Sequence, residues 1–282
     1  MPGNKYFHRL LSICISSKKT NKLVLLISVL FTSPLYSAII SYTEDRPFSE
    51  LHIQGEIIKG DYQKILNIVR KQRDIPYLLS IDSKGGNVME ALKIGSFTRK
   101  YLLKSESRKC NSACIFILLG SLHPPNNNQG VIGIHRPKFN RAYFSNLNAQ
   151  EATDKYKTLH SIVSQYMTNM GARKLLVDKM FSIPSGSMDY LKKQQFYSMV
   201  NNPPAGYSEW IISKCGDDLT LKEQQDLISS YRNNTLFNKK YIARLDAKST
   251  EHFNCELESV RNEQMRIYNT DPEFNHRKMS LY

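Results

Sequence analysis

Residues 77–87 read Tyr-Leu-Leu-Ser-Ile-Asp-Ser-Lys-Gly-Gly-Asn. The apolar run from Tyr77 to Ile81 has the character of a strand buried on both faces, as in a parallel sheet. Ser83-Lys84-Gly85-Gly86-Asn87 then supplies a turn. From Val88 to about Leu103, the residues Ala91, Leu92, Ile94 and Phe97 recur at helical spacing. Strand, glycine turn and helix in that order predict a βαβ-like unit, and with it an α/β fold.

The flanking sequence extends this unit in both directions. Upstream, residues 39–50 are polar and read as a leading segment. Leu51 to Ile58 reads as a first strand containing Gln54-Gly55-Glu56, and Asp61 is placed to cap a helix whose buried side carries Ile65, Leu66, Ile68 and Val69. Downstream, a second unit begins near Ser105. The run from Ser112 to Leu119 is short and apolar, which leaves helix and strand both open by periodicity. Gly120-Ser121 closes it, Pro124 to Asn128 is a turn, and Val131 to Ile134 is a short buried strand ending in His135-Arg136-Pro137. A long helix is predicted from Gln150 to Met170, continuing after Gly171 through Lys174 to Met180. Ser182 to Ser187 is a loop, and a short helix spans Leu191 to Met199. Asn201 to Gly206 is a boundary. Residues 207–282 form a polar, mostly helical C-terminal extension, with the last 15 residues expected to fray.

The N-terminus has its own logic. Met1 to Ala38 holds Lys5, Arg9, Lys18, Lys19 and Lys22 and no acidic residue. After Lys22 comes an uncharged, mostly apolar run, Leu23 to Phe31, and then Ser33-Pro34-Leu35-Tyr36-Ser37-Ala38. These are the parts of a secretory signal. The run is shorter than the roughly 20 apolar residues of a membrane span. Apolarity resumes at Ile39-Ile40, so an uncleaved anchor with membrane association through residues 23–40 is the alternative. The division is therefore 1–38 signal peptide or anchor, 39–200 α/β domain and 201–282 helical extension. Cleavage would place the domain in the periplasm or outside the cell, and retention would hold it at the inner membrane.

Cysteine usage agrees with export. Cys14 lies in the segment to be removed, and Cys110, Cys114, Cys215 and Cys255 remain, an even number. An oxidising compartment permits two disulfides. Cys110–Cys114 with Cys215–Cys255 is the preferred pairing of the three possible. Zinc is disfavoured, because the wide spacing lacks a metal knuckle, and reduced cysteines would accompany cytosolic residence. The net charge is +14, and taking away the five N-terminal cations leaves +9. That favours anionic surfaces. The cations are dispersed and no helix-turn-helix, finger or aromatic-basic pattern appears, so specific nucleic-acid binding is not expected.

A serine nucleophile needs a base in reach and donors for the oxyanion. Ser112 lies where a buried helix would begin, so neighbouring amides such as that of Ala113 would face developing negative charge. Gly85 and Gly86 would let a backbone approach a substrate closely. His135 ends a strand, at the edge of a cleft. Read singly, each has a plainer explanation: a helix cap, an ordinary turn, a histidine bonded to backbone.

Their order sharpens the reading. The Ser83-Lys84-Gly85-Gly86 turn, the Cys-x-Ser-Ala-Cys block at Cys110 to Cys114, and Ile132-Gly133-Ile134-His135-Arg136-Pro137 follow the strand at Leu51–Ile58. Over Leu51 to Val200 the chain resembles the ClpP/crotonase superfamily, particularly its exported ClpP-like members. The resemblance implies repeated ββα units, with Ser112 as nucleophile and His135 as base. It further implies oxyanion donors at Gly85 or Gly86 and Ala113. No metal or organic cofactor is implied. It implies an exported serine peptidase acting through an acyl-enzyme on peptides or unfolded protein, without ATP, and self-association into a homo-oligomer. The alternatives are an inactive exported binding or assembly protein on the same fold and an anchored structural protein.

There are two departures from the pattern. Lys84 stands where the family has proline, and could offer a substrate a charged contact. The family's carboxylate falls near Gly186-Ser187. Asp189, two or three positions late, is the candidate third residue, and Asp178 on the preceding helix is the next. Ser187 or a backbone carbonyl could substitute.

Overall fold

The computed structural model describes residues 37–45, 48–122, 130–138, 141–201, 203–204, 206–233 and 238–274. The expected signal segment through residue 36, the expected turn at Pro124–Asn128 and residues 275–282 lie outside the described residues. The described residues make one compact unit.

In chain order the elements are β1 (Ile39–Asp45), β2 (Phe48–Gln54), α1 (Asp61–Gln72), β3 (Leu78–Ser83), α2 (Val88–Lys100), β4 (Lys104–Asn111) and α3 (Cys114–Leu119). There follow β5 (Val131–Ile134), α4 (Arg141–Phe144), α5 (Ala149–Asn169), α6 (Lys174–Ser182), β6 (Asp189–Lys192) and α7 (Lys193–Ser198). The extension supplies α8 (Tyr207–Cys215), α9 (Leu221–Asn233) and α10 (Lys239–Thr270). The strands form one sheet in the order β1 to β6. Strands β2 to β5 are parallel, and β1 and β6 join antiparallel at the two edges. The fold is therefore mixed α/β.

Residues 39–50 are not a polar leader. They hold β1 and the start of β2, paired from Ile39 opposite Gln54 to Asp45 opposite Phe48. An edge strand needs few apolar residues, and Ile40 packs on the core while Ser41 and Thr43 face solvent. The strand read at 51–58 starts and stops earlier, because Gly55 turns the chain with a φ of +109°. Asp61 is the first residue of α1 and not its N-cap, which is Gly60. Its carboxylate instead accepts the Ile58 N–H at 2.8 Å. Residues 191–192 belong to β6, so the last short helix begins at Lys193.

The core lies between the sheet and its helices. Leu51 and Ile53 of β2, Leu79 and Ile81 of β3, and Ile132 and Ile134 of β5 are buried. Helix α3 settles the Ser112–Leu119 ambiguity. All six of its residues are buried, which explains why its sequence shows no polar face. A buried helix end leaves carbonyls unpaired. Arg99 supplies the donors, with Nε to Gly120 O at 3.0 Å and Nη2 to Leu119 O at 2.8 Å.

Both expected cysteine pairs are disulfides. Cys110–Cys114 bridges β4 to α3 across Ser112, and Cys215–Cys255 ties α8 to α10. These bonds are compatible with an oxidising location. Among the described residues no helix is long and apolar enough to cross a membrane.

Candidate active site

Three times a parallel strand ends in a residue or pair of positive φ, and a helix follows. Gly55 ends β2, Gly85 (+98°) and Gly86 (+142°) follow β3, and Ser112 (+55°) follows β4. Glycine adopts these angles at no steric cost. Ser112 is an L-residue with a Cβ, so its left-handed backbone carries strain of about 1–2 kcal/mol. Such strain persists where surrounding structure over-determines it. Here the Cys110–Cys114 bridge spans the turn, and the Ser112 N–H donates to Gly133 O at 2.7 Å. A serine held in a strained strand-to-helix turn presents its hydroxyl outward at the end of the sheet. Ser112 is partly exposed between buried neighbours.

The glycine turn lies against this serine. A Cβ on Gly85 would fall 2.7 Å from Asn111 O, 2.7 Å from the Ser112 Cβ and 3.0 Å from Ala113 N. The two glycines are not equivalent. Gly85 N–H donates to Ser83 Oγ at 3.1 Å, and Gly85 O accepts from Ile57 N at 2.9 Å. Neither Gly86 N–H nor Ala113 N–H has a hydrogen-bond acceptor among the described residues. Ala113 follows Ser112 directly, and Gly86 follows Gly85, the glycine that packs on Ser112, so the free donor pair of these two turns is Gly86 with Ala113. Lys84 forms an exposed ion pair with Glu56 at 2.9 Å.

His135 directly follows β5, the parallel neighbour of β4. Its Nδ1 lies 2.8 Å from the Arg136 carbonyl oxygen. A carbonyl only accepts, so Nδ1 is the donor of this bond, and in the neutral ring Nε2 then keeps its lone pair. That is the tautomer a general base requires. Among the described residues no hydrogen bond joins Ser112 to His135.

The carboxylates are elsewhere. Asp189 pairs with Lys179 at 2.6 Å, and Asp178 with Lys174 at 2.6 Å. Asp189 stands opposite Ile134 in the β5–β6 ladder and shares that residue's face, whereas successive strand residues alternate faces. The structure thus brings Ser112, the glycine turn and Ala113 together, sets His135 at the end of the adjoining strand, and leaves Asp189 on a lysine.

Two features of the site escaped the sequence. One is the identity of the backbone carbonyl that partners His135, that of Arg136, where the sequence offered a carbonyl only in general. The other is Asn111, whose buried side chain accepts the Gly133 N–H at 3.1 Å. A further buried polar group, Lys193, gives its Nζ to the Ser107 carbonyl, and burial lowers its pKa. Ser107 precedes Ser112 by five residues, roughly 16 Å along an extended chain, so this amine serves β4 and not the serine. Among the described residues no group of three or more histidine, cysteine or acidic side chains could hold a metal. Neither a protein-family model nor a curated protein matches this sequence.

Proposed function

We propose that this chain is an exported ClpP-like serine hydrolase, with residues 39–200 as a ClpP/crotonase-type domain. It cleaves peptide bonds through an acyl-enzyme on Ser112, without ATP. The observation that carries the reading is the left-handed backbone of Ser112 at the strand-to-helix turn, spanned by the Cys110–Cys114 bridge and packed against Gly85. Strand, positive-φ bend and helix recur three times, a βα order that is compatible with a fold built of repeated units.

In this mechanism the Ser112 hydroxyl oxygen adds to the peptide carbonyl, and its proton passes to His135 Nε2. Gly86 N–H and Ala113 N–H receive the oxyanion. The tetrahedral adduct collapses, the C–N bond breaks, and His135 returns the proton to the departing amine. Water then repeats the sequence in reverse roles and frees Ser112. The Arg136 carbonyl holds the imidazole tautomer but carries no full charge. It stabilises the imidazolium less than a carboxylate would, so turnover is slow for the class. Substrate closure must also bring Ser112 and His135 into hydrogen-bond reach, because apo geometry is often loose. Peptides or unfolded segments fit a site open at the end of a sheet, and self-association accompanies the fold.

The missing Ser112–His135 bond favours a second reading, an inactive binding or assembly protein on the same scaffold. Labelling of purified, disulfide-intact protein by a fluorescent fluorophosphonate separates the two. Hydrolase activity requires labelling of the wild type that is lost in Ser112→Ala and His135→Ala. Folded wild type that stays unlabelled leaves the binding reading.

A further inference from the structure

We propose that Asn111 is a positioning residue for this site, which fixes the strand leading to His135 against the nucleophile turn; the proposal rests on the serine-hydrolase reading. Strand β4 ends at Asn111, because Ser112 turns left-handed. The β4–β5 ladder closes here, with Asn111 opposite Gly133 as its last pair. The Asn111 side chain reinforces that last pair. Its Oδ1 accepts the Gly133 N–H at 3.1 Å, while the next residue, Ser112, donates its own N–H to Gly133 O at 2.7 Å. Both main-chain polar groups of Gly133 are thus gripped by consecutive residues, one of them the nucleophile. His135 lies two residues further along the same backbone.

The partners fit each other sterically. A Cβ on Gly133 would fall 2.5 Å from Asn111 Oδ1 and 3.0 Å from Asn111 Cγ, and 2.8 Å from Met188 Sδ. Glycine at 133 is what admits the amide. Asn111 is 5% exposed, and a buried amide is retained at a cost unless it is hydrogen-bonded. A plain strand end would be served by an apolar side chain. A polar residue here has a task in setting one strand against the other, and misplacement of a reacting group by about 1 Å costs on the order of 100-fold in rate.

The test is inactivation by the fluorophosphonate, resolved into a maximal rate and a half-saturating concentration, with amide exchange of Gly133 followed in parallel. Asn111→Ala is expected to lower the maximal rate roughly 10- to 100-fold with little change in half-saturation, and to speed exchange at Gly133. Asn111→Asp keeps an acceptor of the same shape and restores most of the rate and the protection. Asn111→Ser, too short to reach Gly133, carries the same prediction as alanine should the latter not fold. Wild-type labelling that is unchanged in these variants overturns the positioning role and leaves the serine reading intact. So does a loss that aspartate fails to rescue. A folded wild type that is not labelled at all overturns the serine reading, and the positioning role falls with it.

Discussion

Replacing Gly85 by alanine probes the contact on which the whole site depends. Gly85 combines two constraints, a φ of +98° and a Cβ position 2.7 Å from both Asn111 O and the Ser112 Cβ. Other glycines separate the two. Gly60 has a φ of +100° with nothing within 4 Å of a Cβ, and Gly186 has neither constraint. Alanine at Gly186 should stabilise by about 0.4–1 kcal/mol through the unfolded chain. At Gly60 the same gain is set against about 1–2 kcal/mol of backbone strain, a net loss near 1 kcal/mol. At Gly85 that loss is joined by overpacking against main-chain atoms, about 1–3 kcal/mol more. The total is about 3 kcal/mol, or a Tm lower by roughly 6–12 °C in a chain of this size. Thermal unfolding of the three disulfide-intact variants followed by circular dichroism reads the series. If Gly85→Ala costs no more than Gly60→Ala, the glycine turn does not abut Ser112 and the oxyanion geometry built on it is wrong.

The two disulfides should separate stability from reactivity. Chain-entropy arguments give about 4 kcal/mol for a closed loop of about 40 residues and about 2 kcal/mol for one of about 4, so Cys215→Ala/Cys255→Ala should lower Tm more, while Cys110→Ala/Cys114→Ala lowers fluorophosphonate labelling more. Burial raises the Asp271 carboxyl, but bonds from Lys100, Tyr101 and the Glu273 N–H outweigh it and hold the pKa below the ordinary value. A carboxyl depressed in the fold adds stability above its unfolded pKa and loses it as pH falls through the folded one. Amide exchange at residues 268–274 should therefore accelerate below about pH 4, and Asp271→Asn should make it fast at neutral pH as well. Gln264→Leu should cost about 1–3 kcal/mol in urea unfolding, because the Pro76 and Tyr101 carbonyls lose the buried Nε2 that serves them, yet leave the labelling rate of the folded protein unchanged.

What could be read in the chain followed local chemistry. The β3–turn–α2 unit declared itself because an apolar run, two glycines and a helical repeat stand side by side, and both cysteine pairs were found as expected. Strand β1 stayed hidden because an edge strand needs little apolar alternation. Strand β6 hid because four residues make no period. The tail was expected to fray over its last 15 residues, yet Asp271 binds Lys100 and Tyr101, and Phe274 packs 5.1 Å from the Tyr101 ring. That anchorage spans some 170 residues of sequence and leaves no local mark. The site divides in the same way. Ser112, His135 and the glycines were visible as residue types in order. The left-handed angle of Ser112 was not, since nothing in a serine announces it. Nor was the grip of Asn111 on Gly133, which exists only once β4 and β5 are in register.

That register also explains why the extension and the site need not interfere. Helix α10 reaches the residues that lead into β3 and β4: Gln264 binds the carbonyls of Pro76 and Tyr101, and Arg261 binds that of Ile75. Ser112 and the glycine turn lie where those same strands end. The eight residues of β4 separate the two by roughly 26 Å. Open α/β sheets bind ligands beyond the carboxyl ends of their strands, so a buttress at the opposite ends can be large without closing the entrance. The extension thus contributes by fixing where the parallel strands begin. Because a strand is stiff and its pairing discrete, fixing its start constrains the turn at its end. Local devices then complete the geometry: the disulfide across Ser112, the Asn111 grip on Gly133 and the Arg136 carbonyl at His135.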